Sequence, residues 1–176
     1  MFHWSHRNIA RWSPRAAALA VLLLAIAGCA SPPSPAKPAA LIGAWQSHVQ
    51  FKGGAYAAIQ DLTFLYVFNA GGTMTESSNY DAAPPCTPAY GEWHATGENT
   101  FEAKYTFFNM KPTQSVDSLI TNGGWLPFGH GVLTEQIKVG ADARTYEATL
   151  TMTMFDVSGK DTGTAMAAVH ATRAGF

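Results

Sequence analysis

Cysteine is close to absent from this chain, with two in 176 residues. One of them, Cys86, lies in the turn-rich Ala-Ala-Pro-Pro-Cys-Thr-Pro. No zinc-type spacing and no nearby base surround it, so it reads as an exposed, incidental thiol. Histidine supplies no metal pattern either, because His48, His94, His130 and His170 show neither H-x-x-x-H nor H-x-H spacing. There is no G-x-S-x-G, no phosphate loop and no H-E-x-x-H, which removes the main sequence signs of a hydrolase, a nucleotide binder or a metalloprotease. No cofactor and no metal are expected. Long apolar runs are missing too. The run Ala16 to Gly28 has 13 residues, short of the roughly 20 that a membrane-spanning helix needs. From residue 41 onward helical periodicity is absent, apart from a turn near Val116 to Ile120.

What is present begins with an address. Arg7, Arg11 and Arg15 precede the apolar run, and no acidic residue occurs before Asp61. A basic flank with a short apolar core is the pattern of a secretory signal, with the basic side cytoplasmic. Ile26-Ala27-Gly28-Cys29 resembles the bacterial lipobox. The resemblance implies cleavage after residue 28, and diacylglyceryl and N-acyl groups on Cys29. Ala30, which is not aspartate, implies the outer membrane, facing the periplasm of the cell envelope. Several acyl chains, at about 0.8 kcal/mol per buried CH₂, hold a protein where one chain does not. The proline-rich residues 29–40 then prefer extended geometry and serve as a tether. With Cys29 acylated, only Cys86 remains, and no intramolecular disulfide forms in that oxidising compartment. The chain after residue 28 keeps 8 Lys and Arg against 12 Asp and Glu, which argues against nucleic acid as a partner.

Residues 41–176 are long enough for one core. Their periodicity is 2. In Tyr146-Glu-Ala-Thr-Leu-Thr-Met-Thr-Met154 one face is apolar and the other mostly threonine, as in a half-buried antiparallel strand. The same test predicts eight strands, at about 43–51, 58–68, 72–79, 89–95, 100–108, 131–139, 144–155 and 162–173. Hairpin-like links rich in Gly and Asn join most of them. Two connections are longer, Asp81 to Pro88 and Asn109 to His130, and the second is read as a loop able to cover one end. The fold class is therefore all-β: an eight-stranded antiparallel up-and-down barrel, with a two-sheet sandwich as its rival.

Gly43-Ala-Trp45 at the start of the first strand resembles the Gly-x-Trp signature of the lipocalins and their calycin relatives. Arg173 is similar to the basic residue that packs across that tryptophan and closes the barrel floor. Gly91-Glu-Trp93 repeats the pattern. Phe68-Asn-Ala-Gly-Gly-Thr-Met-Thr-Glu76 resembles a stretch found in uncharacterised bacterial lipocalin-like domains. The resemblance implies a barrel of lipocalin type.

Phasing from Trp45 turns Val49, Phe51, Trp93, Leu133, Ile137 and Leu150 inward. It does the same for Phe64, Tyr66, Phe68, Tyr105, Phe107, Met152 and Met154, which are the candidate ligand contacts. An eight-stranded barrel is either filled by side chains or just wide enough for one small guest. Glu76 and Glu135 also fall on inward faces. Each marks a polar contact to a ligand or a catalytic acid; alternatively, Glu76 sits near the barrel mouth and Glu135 is solvated or paired with Lys138 or Arg144. Three functions fit: a lipid-anchored module binding a small apolar or amphipathic molecule, a solid-barrel partner-binding envelope protein, or an enzyme. The enzyme reading rests on analogy with allene oxide cyclases and dirigent-like proteins, which fold a reactive substrate in an apolar pocket.

Overall fold

Strands with one dry and one wet face must bury the dry one, and this chain does so by closing its sheet on itself. The computed structural model describes residues 40–81, 85–113 and 115–175, with the side chains of residues 118 and 122 excepted. The lipobox with Cys29, and the tether as far as residue 39, lie outside the described residues. The strands are β1 (Gly43–Phe51), β2 (Thr63–Phe68), β3 (Thr73–Ser78), β4 (Ala89–Ala95), β5 (Thr100–Pro112), β6 (Trp125–Val139), β7 (Thr145–Phe155) and β8 (Asp161–Arg173). Each pairs antiparallel with the next, and β8 returns to β1, closing an up-and-down barrel. The sandwich alternative is thereby excluded, and no sheet edge is left open along the barrel wall.

The inward phase holds throughout. Every side chain named above as inward is buried except Met154, which is half-buried. Leu65 and Val67 face outward, 53% and 43% exposed. Among the described residues no helix is long and apolar enough to cross a membrane.

Two elements differ from the sequence reading. Strand β2 begins at Thr63 rather than near residue 58, because residues Ala55–Ala58 wind into a 3₁₀ turn. The expected loop from Asn109 to His130 is largely an arm: β5 and β6 run past the barrel rim, pairing Met110 with Pro127, Lys111 with Leu126 and Pro112 with Trp125. A register shift at Asn109/Met110 bends the arm, and α1 (Val116–Asn122) lies between its two strands. Outside the barrel neither face of the arm is dry, so the apolar alternation that marks the other strands is lost there.

The floor is built around Trp45, which is fully buried and donates its indole N–H to the Leu41 carbonyl at 2.8 Å. Arg173 lies over the ring, 4.4 Å from its centroid. Its three guanidinium nitrogens donate to the carbonyls of Ala143, Ile42 and Ala40 at 2.6, 2.9 and 2.7 Å. One side chain thus joins the last strand, the β6–β7 turn and the segment entering β1. The pairing of Trp45 with Arg173 is the one that the lipocalin resemblance implies. The opposite end of the barrel, the mouth, is ringed by the 3₁₀ turn, the Asp81 loop, the β5–β6 arm and the start of β8.

Candidate functional site

The barrel is filled from the floor to its middle by aromatic rings. Tyr146 meets Trp45 edge-on at 5.0 Å, and Tyr66 stacks on Phe68 at 5.6 Å. Tyr105 fits because its neighbour on β4 is Gly91, where a Cβ would collide with the Lys104 carbonyl and the Tyr105 backbone.

A polar chain runs through this packed layer. Tyr105 donates its hydroxyl to Glu135 Oε2 at 3.0 Å. The Tyr66 hydroxyl lies 3.2 Å from that of Tyr105. With the Tyr105 proton committed to the carboxyl, Tyr66 is the donor of this second bond. Glu135 is fully buried and makes no ion pair with Lys138 or Arg144, so the solvated or paired alternative is overturned. Lys138 lies on the outward phase of β6, three residues along from Glu135. Burial raises the Glu135 carboxyl to about 7, against the opposing pull of the hydroxyls of Tyr105, Tyr66 and Tyr146. Burial and the Glu135 charge hold all three phenols well above 10. Glu135 Oε1 and the Tyr146 hydroxyl are buried without a hydrogen-bond partner among the described residues.

Above this layer, toward the mouth, lies a half-open pocket of about 40 Å³. A water needs about 10–15 Å³ by this measure, so the space admits a group the size of a few waters. Phe51, Tyr56, Phe64 and Phe107 form its walls, and Leu62, Leu133 and Met152 also line it. The Phe107 ring lies across Gly131, where a Cβ would strike it. Glu76 borders the pocket at 6% exposure, and its Oε1 has no hydrogen-bond partner among the described residues. Burial, then the nearby Asp81 and Glu135, push its carboxyl well above the usual range. The rim is polar. Ser78 and Cys86 both donate to Asp81 Oδ1, at 2.7 and 3.6 Å, and Tyr80 donates to Asp61 at 2.7 Å. Cys86 is therefore half-buried rather than exposed, and burial, then Asp81, raise its thiol to about 12. A thiol so rarely ionised is a poor nucleophile.

Tyr56 and Met152 line both this pocket and a larger groove of about 680 Å³. Its walls come from the 3₁₀ turn (Ala55, Tyr56), the arm (Met110, Pro112, Phe128) and the start of β8 (Gly163, Ala165), with Met152 and Met154 also lining it. Lys111 sits at its edge, 5.5 Å from the Phe128 ring centroid.

The candidate contacts read from the sequence thus divide between two levels. Phe64, Glu76 and Phe107 line the pocket, Met154 lines the groove, and Met152 lines both. Tyr66, Phe68, Tyr105 and Glu135 lie deeper, in the packed layer, and border neither space. Pocket residues that strand phasing does not reach are Tyr56, Tyr80, Asp81, Cys86 and Thr87, all on connections. Their one sequence signal is the turn-forming Ser78-Asn-Tyr-Asp81, in which Asp81 also accepts from the Ser78 backbone N–H at 2.9 Å. No histidine, cysteine, aspartate or glutamate group suited to a metal ion occurs among the described residues. No protein-family model matches the chain, and no curated protein matches it.

Proposed function

We propose that this chain is a lipid-anchored envelope protein whose barrel mouth binds a small apolar or amphipathic molecule. The observation that carries this reading is the groove of about 680 Å³, within the usual range of small-molecule sites, about 300–1,000 Å³, and apolar with few polar groups. Methionines at its base suit a guest of variable shape. The filled lower barrel makes the site a mouth rather than a central cavity. Placing tryptophan at residue 152, which lines both pocket and groove, fills the space. Met152→Trp is expected to weaken binding of the neutral dye Nile red by about tenfold or more, read by fluorescence titration, with the β-sheet circular dichroism retained. Unchanged affinity in a folded variant would remove the groove as the site.

The anchor rests on the lipobox resemblance and the tether. Cys29→Ser is expected to abolish acylation, leaving an uncleaved precursor or a product in the aqueous phase of a detergent partition. A variant that is processed normally and still enters the detergent phase contradicts the anchor.

A further inference from the structure

We propose that the inner pocket receives a protonated amine, with Glu76 as its counter-ion, while the apolar part of the same ligand lies in the mouth groove. This rests on the groove reading above and adds the chemistry of the ligand's head.

A carboxyl buried to 6% exposure with an oxygen lacking any hydrogen-bond partner is costly unless something completes it. Glu76 stands at the boundary of a space large enough for an ammonium group. Phe51, Tyr56, Phe64 and Phe107 line that space, and aromatic rings attract cations, the more so where water is excluded. Among the described lining residues there is no lysine, arginine or histidine, whereas Asp81 adds a second acid. Three rim donors, Ser78, Tyr80 and Cys86, already give their hydrogens to Asp81 and Asp61. The pocket therefore keeps acceptor capacity at Glu76 and has few donors to spend. An anionic head would meet two carboxyl groups there. A neutral alcohol would satisfy one oxygen but gain nothing from the rings.

The arrangement couples binding to a proton. The titratable groups acting on or felt by Glu76 are Asp81, Glu135, Cys86, Tyr66, Tyr105 and Tyr146. None is a base that carries positive charge, so the empty pocket favours a protonated Glu76. An arriving ammonium favours the carboxylate, and the carboxyl proton is released to solvent. Amine affinity is therefore expected to rise with pH until Glu76 is ionised in the empty protein, whereas alcohol affinity does not.

The test uses the full chain in phosphatidylcholine nanodiscs, with empty nanodiscs subtracted, and calorimetric titration of n-hexylamine, 1-hexanol and hexanoate. The expected order places n-hexylamine about tenfold or more ahead of 1-hexanol, with hexanoate weakest. Glu76→Gln should remove the amine's advantage and leave 1-hexanol affinity within about twofold. Equal amine and alcohol binding, or an amine advantage that survives Glu76→Gln, overturns the counter-ion and leaves the groove standing. A preference for hexanoate overturns it too. Failure of all three probes to bind overturns the groove reading together with it. If Glu76→Gln does not fold, the wild-type pH series decides: amine affinity that does not rise between pH 5 and 8 overturns the proposal.

Discussion

Replacing Trp45 with alanine is expected to lower the free energy of unfolding by about 3–5 kcal/mol, the cost typical of removing a large buried aromatic side chain. The indole is fully buried, bonded to the Leu41 carbonyl and packed edge-on against Tyr146. Its loss leaves a cavity at the floor and a carbonyl without its donor. In a domain of this size the midpoint of thermal unfolding should fall by roughly 10–20 °C. Arg173→Ala should cost less, since the guanidinium is only partly buried, but it removes three bonds that tie separate segments together. The two effects should not add. In the Trp45→Ala background the ring beneath Arg173 is gone, so a double-mutant cycle by urea unfolding should show coupling of about 0.5–3 kcal/mol. Additive costs would mean that the 4.4 Å contact contributes nothing to stability.

Stability should also fall as pH rises through neutrality. Glu135 has an ordinary value of 4.5 and is raised to about 7 in the folded barrel. The folded protein therefore holds this proton more tightly than the unfolded chain does. The resulting stabilisation is complete below about pH 4.5 and is lost as pH rises to about 7, where the folded carboxyl ionises too. At about 1.4 kcal/mol per pKa unit, the loss is roughly 3 kcal/mol. Glu76 is shifted the same way and adds to the slope. Glu135→Gln keeps an oxygen for Tyr105 to donate to and cannot ionise. It should flatten the curve between pH 5 and 7.5 and be more stable than the wild type at pH 8. The difference between wild type and variant is the quantity to read, by urea unfolding at each pH, because it cancels every contribution that the two proteins share. A variant with the same pH slope as the wild type would contradict a buried, neutral Glu135.

Much of this was legible in the residues, and the reasons are physical. Alternation from Tyr146 to Met154 follows from a sheet with one dry face, so strand identity and inward phase could be read directly. The same phasing turned Glu135 inward between Leu133 and Ile137. What it could not supply was the partner. Tyr105 lies opposite Leu133 in register, while Glu135 lies opposite Ala103, so their bond is diagonal across the β5–β6 pair. Such a bond depends on side-chain rotamers rather than spacing. The pocket was half legible for a similar reason: strand residues Phe64, Glu76, Phe107 and Met152 were phased toward it, but Tyr56, Tyr80 and Asp81 arrive on connections whose path no periodicity records. The β5–β6 arm was hidden because its strands have no core to face. The filled centre, too, depends on ring packing. Gly91 and Gly131 let Tyr105 and Phe107 lie across the interior, and a count of inward aromatics does not show how they interlock.

The most direct measurement is native mass spectrometry of the intact chain purified from the cells that make it, compared with Met152→Trp prepared identically. Occupancy of the mouth groove predicts a small-molecule mass increment on the wild type that the variant lacks. An identical increment on both proteins, or none on a wild-type chain that also fails to take up added Nile red, would contradict the groove as a binding site.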